Sequence, residues 1–153
     1  MAAKKTQKTQ LYVVSGATAA TAIDQVASID GLGGARDQID TTHLMSDERE
    51  FEGGFNTPGP ITVNIIWDEA LASHALLNTL RGNGNKVEWM IADSDGTAAP
   101  TVAASAFAAL TTRTNRKFIG YVADITLSFA QNEVQRAVVT IQRSGPVTTT
   151  VRA

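Results

Sequence analysis

The sequence predicts a mainly β fold, a β-sandwich or barrel-like sheet pair with one flanking α-helix, and three observations carry that prediction. Most of the chain alternates apolar and polar residues with period two, the pattern of strands with one buried face. A single stretch after Asp68 switches to helical spacing. The 153 residues contain no cysteine, yet a chain of this length buries enough surface to fold as one domain, 1–153, without disulfides or a structural metal.

Taken in order, Gln10–Val14 is the first expected strand. Ala22–Ile29 and Arg36–Thr42 follow, with Gly31-Leu32-Gly33-Gly34 as a tight turn between them. No period is visible from His43 to Gly59, where Gly53, Gly54, Pro58 and Gly59 accompany the acidic group Asp47, Glu48, Glu50 and Glu52. This reads as one long loop, 43–59, and loops above about 12–15 residues inside a compact domain are usually functional or mobile.

In Pro60–Trp67, Ile61, Val63, Ile65 and Trp67 share a face. Asp68 is placed to cap a helix, Glu69 suits its dipole, Ala72, Leu76, Leu77 and Leu80 form its apolar stripe, and Gly82 ends it. Lys86–Asp93 aligns Val87, Trp89 and Ile91, which makes both tryptophans core residues. Thr97–Thr112 fits a helix through Val102, Ala106 and Leu110 and extended chain through its threonines and Pro100; extended chain is the expectation.

Tyr121, Ala123, Ile125, Leu127 and Phe129 then oppose Asp124, Thr126 and Ser128. After Gln131-Asn132-Glu133, Ala137, Val139 and Ile141 oppose Arg136, Thr140 and Gln142, so the two stretches read as long hairpin arms with one wet face.

Composition excludes several function classes. A hydrophobic content of 43% with 18% charge is the balance of a globular chain rather than a disordered one. Thirteen Lys plus Arg against fifteen Asp plus Glu give a net charge of -2, whereas gripping nucleic acid by its phosphates needs a basic surplus. Thiolate zinc sites and cysteine nucleophiles fall with the missing cysteine. No apolar run reaches the roughly 18 residues of a membrane span. Lys4, Lys5 and Lys8 precede no apolar stretch, so neither membrane insertion nor signal-peptide export is expected.

Motifs for chemistry are incomplete. Where a dinucleotide fingerprint needs its third glycine, the Gly31 run has Arg36. Asp93, Asp95 and Gly96 begin like a calcium loop, but Ala98 and Ala104 occupy the positions of its glycine and bidentate glutamate, so Asp95-Gly96 reads as a hairpin turn. His74 has no HExxH partner and reads as a surface or cap-satisfied residue; His43 has no Gly-x-Ser-x-Gly serine to serve. The Asp47–Glu52 carboxylates read as a solvated loop or intersubunit contact rather than an acid–base pair, and Arg113, Arg116 and Lys117 as a solvated turn. No catalytic residue, cofactor or metal site is expected.

The order of central motifs is more specific. Ile39-Asp40-Thr41-Thr42-His43-Leu44-Met45-Ser46-Asp47, then Phe51-Glu52-Gly53-Gly54-Phe55-Asn56, then Pro58-Gly59-Pro60-Ile61-Thr62-Val63-Asn64, resembles the tail tube (major tail) proteins of long-tailed, siphovirus-like bacteriophages. The helix after Asp68 and Phe118-x-Gly120-Tyr121-Val122 fall where that family has them, and the likeness runs from about Gln10 to the end. Pro58-Gly59-Pro60 departs from the pattern.

The resemblance implies a structural virion protein, made in the host cytoplasm, whose six-membered rings stack into a DNA conduit. It also implies a tape measure protein in the lumen, tail terminator and baseplate or distal tail partners, and transient, non-specific passage of DNA. Type VI secretion tube proteins are similar in fold and form the nearest alternative; a small β-sandwich binding module is the alternative from another class.

Three surfaces follow from joining that resemblance to the residues. The flexible N-terminal arm, 1–10, with Lys4, Lys5 and Lys8, and the long loop, with Asp47, Glu48, Arg49, Glu50, Phe51, Glu52 and Phe55, are inter-ring contact candidates. Asp40, Asp124, Thr126 and Ser128 are lumen candidates on the polar sheet face. Val138 and Ile66, apolar on that wet face, are candidates for contact between neighbours.

Overall fold

The computed structural model describes residues 3–153; Met1 and Ala2 of the expected N-terminal arm lie outside the described residues. The elements in chain order are β1 (Gln10–Val14), β2 (Ala20–Ala22), β3 (Val26–Asp30), β4 (Gly34–Asp40), β5 (Phe51–Pro58), β6 (Pro60–Ile66), α1 (Ala72–Asn83), β7 (Val87–Ala92), β8 (Val102–Ala103), β9 (Ala106–Phe107), β10 (Asn115–Ser128), β11 (Arg136–Arg143) and β12 (Thr148–Thr150). Eight strands make one antiparallel sheet in the order β2-β1-β7-β10-β11-β6-β3, and β12 pairs beside the start of β10.

That sheet folds over on itself. Leu11, Val13, Trp89 and Ile91 from its β1–β7 half share one buried cluster with Ile61, Val63, Ile65, Val139 and Ile141 from its β6–β11 half. Leu77 and Leu80 of α1 join the same cluster. Burying each such side chain contributes roughly 1.5–3 kcal/mol, so apolar burial in this cluster is what chiefly holds the halves together. The expected extended chain at 97–112 is a β8–β9 hairpin whose Val102 and Phe107 cover Tyr12, Val14, Met90 and Ala92 on the opposite face of the β1–β7 half. Among the described residues, the β3-β6-β11-β10 part of that opposite face is left open.

Several sequence expectations are corrected. A β-bulge between Val122 and Asp124 shifts the phase of β10, so Phe118, Gly120 and Val122 face inward before it and Ile125 after it. Tyr121, before the bulge, and Ala123, within it, therefore lie off the buried face that Ile125 shares, because one extra residue puts the two segments in opposite phase. Gln25, at φ 59, breaks the strand expected over Ala22–Ile29. Helix α1 starts one turn later than expected: Asp68 accepts the Ala70 amide in a preceding turn, Leu71 is the N-cap, and Gly84 at φ 65, not Gly82, ends the helix. Asp95-Gly96 does not turn a hairpin, since β7 and β8 are unpaired and Asp95 instead receives the Thr114 amide and hydroxyl.

The largest correction concerns 43–59. Phe51–Pro58 is strand β5, paired along β4 from Gly34↔Pro58 to Asp40↔Phe51, and only the tip between them is loop. Neither strand carries apolar alternation because neither buries a face; β4 is exposed throughout and β5 almost so.

Candidate functional site

The β4–β5 hairpin is an arm. It forms a separate two-stranded sheet that leaves the body where the β3–β6 ladder ends, tied there by the Gly59 amide donating to the Gly33 carbonyl at 3.2 Å, and at about 3.4 Å per residue its seven-residue strand β4 reaches roughly 20 Å past the body. Gly31 makes the joint: its φ is +99°, and a Cβ there would lie 2.5 Å from the Pro60 carbonyl oxygen. Gly53 admits Arg36, whose side chain packs over it and donates to the Gly54 carbonyl. The tip is closed by its own bonds, Thr42 to Glu50 and Ser46 to His43. Asp40 accepts from Thr42, and that side-chain bond holds its carboxyl below the usual range.

A two-stranded hairpin alone is marginal in water, and this one leaves Leu44, Met45 and Phe55 more than four-fifths exposed. Phe51, Ile39 and the charged Asp47, Glu48, Arg49, Glu50 and Glu52 are exposed beside them.

The second surface is the open sheet face. Ser28 and Asp30 of β3, Thr62, Asn64 and Ile66 of β6, Arg136, Val138, Thr140 and Gln142 of β11, and Asp124, Thr126 and Ser128 of β10 lie on it in register. Hydroxyls and amides dominate, with bonds from Asn64 to Ser28 and from Thr126 to Asp124 running along the face. Arg81, at the end of α1, reaches Asp124 at 3.8 Å. Val138 and Ile66 sit within this face rather than at its margins. Asp40 does not belong to it: the structure places Asp40 on the hairpin, away from Asp124, Thr126 and Ser128.

Both margins of that four-stranded part carry free edges. Among the described residues β3 pairs only with β6, and β10 beyond Gly120 pairs only with β11. Unpaired N–H and C=O groups on two edges invite a neighbouring strand.

The N-terminal segment is not a free arm from Lys4 onward. Lys4 lies 3.2 Å from Asp95 and 3.5 Å from Asp93, Ser94 donates to the Lys5 carbonyl, and Arg113 to the Lys8 carbonyl. The Thr114 hydroxyl, 2.6 Å from Asp95, is the main reason that carboxyl is lowered to about 2, with Lys4 adding to it. Arg152 near the C-terminus donates to Thr114 and Asp95, so both chain ends are tied to one spot.

Arg113 is the residue that sequence reasoning missed. It is 1% exposed, not a solvated turn residue, and donates to the carbonyls of Lys8, Ala92, Asp93 and Ala98 and to the Gln10 side chain. Nothing in the run Arg113, Arg116, Lys117 distinguishes it, because its acceptors come from segments far away in sequence. His74 is likewise buried: it stacks on Trp67 at 4.8 Å, accepts the Asp68 amide at Nδ1 and meets the Asp24 carbonyl at Nε2.

A groove of about 720 Å³ between α1 and the β1–β2 and β8–β9 turns is lined by Leu76, Leu80, Val87 and Ile119, with no aromatic ring among its lining residues. No group of three or more His, Asp or Glu among the described residues is arranged to hold a metal.

Known proteins match along the whole chain. The profile of a family described as "Phage tail tube, TTP, lambda-like" matches residues 2–153. "Structural protein 3" of Pseudomonas phage PAJU2 is 32% identical over 147 residues, covering 92% of this chain and 90% of that one. Among solved structures, the tail of an empty gene transfer agent particle with C6 symmetry superposes with a TM-score of 0.70 at 14% identity, over 97% and 99% of the two chains. The SPP1 tail tube does so at 0.69 and 9% identity, over 97% and 79%.

Proposed function

The chain belongs to the lambda-like phage tail tube family, a structural protein of the virion tail and not an enzyme, and from that premise we propose that its copies close into six-membered rings that stack into the DNA conduit. The observation that carries the reading is the pairing of a free-standing hairpin arm with a sheet that is open on one polar face and free at both margins. Each feature is a liability in a monomer and a contact in a tube.

Ring closure uses the margins. β3, β6, β11 and β10 alternate in direction, so β3 and β10 run oppositely. The β3 edge of one copy beside the β10 edge of the next continues that alternation around a ring, a head-to-tail contact that closes by rotation. The polar face then lines the lumen. Its Asp30 and Asp124 are matched by Arg136 and by Arg81, which reaches Asp124 from α1, leaving a near-neutral wall of hydroxyls and amides. DNA phosphates find few cations there to hold them, and at a Debye length of about 8 Å distant ones are screened.

Along the axis the arm crosses from ring to ring, and Asp47–Glu52 with Phe55 travel with it. Lys5 and Lys8, whose side chains are not used in holding the N-terminal segment, can add to that contact; Lys4 is engaged within its own subunit. A tape measure protein in the lumen, a tail terminator at one end and baseplate or distal tail proteins at the other are the partners such a tube requires. Electron microscopy of the purified protein over a range of concentration tests the reading: sixfold rings or tubes support it, and small monodisperse particles at every concentration overturn it.

A further inference from the structure

Leu44 and Met45 at the tip of the arm have no contact in their own subunit to explain them, being 105% and 86% exposed. Their loop is nonetheless held in shape. Met45 donates its amide to His43 Nδ1, and the Ser46 side chain accepts the His43 amide. A prearranged loop that presents two apolar side chains loses little freedom on binding.

A second exposed apolar group sits at the end of the sheet opposite to the one from which the arm leaves. The β10–β11 turn carries Phe129 at 74% and Val134 at 54% exposure, with Leu127 at 38% beside them. In register, Ser128 and Arg136 at this turn align with Ile66, the end of β6 opposite Pro60, where the arm leaves. The arm thus projects from one end of the sheet and the apolar turn closes the other. A copy displaced along the strand direction brings the turn of one subunit to the arm of the next.

Charge does not select this fit, since Glu133 and Arg136 at the turn balance; the apolar contact does. We propose that the β10–β11 turn, through Phe129 and Val134, is the seat that receives Leu44 and Met45 of a copy in the adjacent ring. This rests on the ring-stacking reading above and names the surface that takes the arm. The contact is heterologous, so it repeats without limit along the axis and does not close.

The cysteine-free chain makes the test direct. A variant carrying both Met45→Cys and Val134→Cys is assembled, oxidised and run on a denaturing gel. The expected result is a ladder of disulfide-linked chains extending past six, with no ladder from either single variant or from Met45→Cys combined with Thr140→Cys on the open face. Alongside it, Phe129→Asp with Val134→Asp is expected to leave a folded protein that forms rings but no tubes. Tubes that form normally from the double aspartate variant, or tubes of the double cysteine variant without cross-links, overturn the proposal while leaving the tube function standing. A protein that forms neither rings nor tubes in its unaltered sequence overturns both.

Discussion

The Gly59 amide and the Gly33 carbonyl meet at 3.2 Å, and this bond ties the separate β4–β5 hairpin to the sheet where β6 begins. Below it β3 and β6 belong to the body; above it β4 and β5 stand in solvent. The direction of the arm is therefore set by the sheet that also carries the polar face, and any change at the joint re-aims the arm.

Gly31→Val places a β-branched side chain at φ +99° and against the Pro60 carbonyl. The local strain is about 1–3 kcal/mol, and the expected outcome is a folded protein, by circular dichroism and thermal melting, that no longer forms tubes. Gly145→Ala is the control, since Gly145 also has a positive φ but open space around it; its strain should leave assembly intact.

Asp95→Asn should release the N-terminal segment. The Thr114 hydroxyl and then Lys4 hold this carboxyl at about 2, below the roughly 3.9 of an unfolded chain. A lowered pKa contributes stability that is complete above the unfolded value and is lost as pH falls through the folded one. The wild type should thus weaken between about pH 4 and 2 more than Asp95→Asn does. At neutral pH, trypsin should cut after Lys4, Lys5 or Lys8 faster in the variant, with the body of the chain surviving.

Arg113→Leu leaves five oxygen acceptors from the surrounding segments without their donor. Unsatisfied buried groups cost about 1–3 kcal/mol each, so urea unfolding should show a loss of about 3 kcal/mol or more. Arg113→Lys should recover little of it, since an ammonium cannot reproduce the planar fork.

Thr126→Lys with Ser128→Lys puts cations on the open face. Tails should be counted at normal number and length by microscopy, while infectivity falls because phosphates are held in transit. Unchanged infectivity would remove β10 from the lumen wall.

Sequence legibility followed burial. Ile61, Val63, Ile65 and Trp67 alternate because one face meets the core, and β6 was readable to within a residue. Gly53, Gly54 and Asn56 carry no such imprint because β5 buries no face in the core and meets chiefly its hairpin partner β4, so a strand looked like a loop. The order of motifs around it still placed the family. Asp124, Thr126 and Ser128 were legible as one face, whereas the bulge before them and the burial of Arg113 depend on contacts with segments far away in sequence.

A helical reconstruction of the assembled tube bears most directly on the central claim, that the open polar face lines the channel while the arm spans adjacent rings. The expected result is sixfold symmetry, with Asn64, Thr126 and Thr140 facing the lumen and the β4–β5 arm seated on a subunit of the next ring. A tube with α1 on the channel wall, or with the arm folded back on its own subunit, would contradict it.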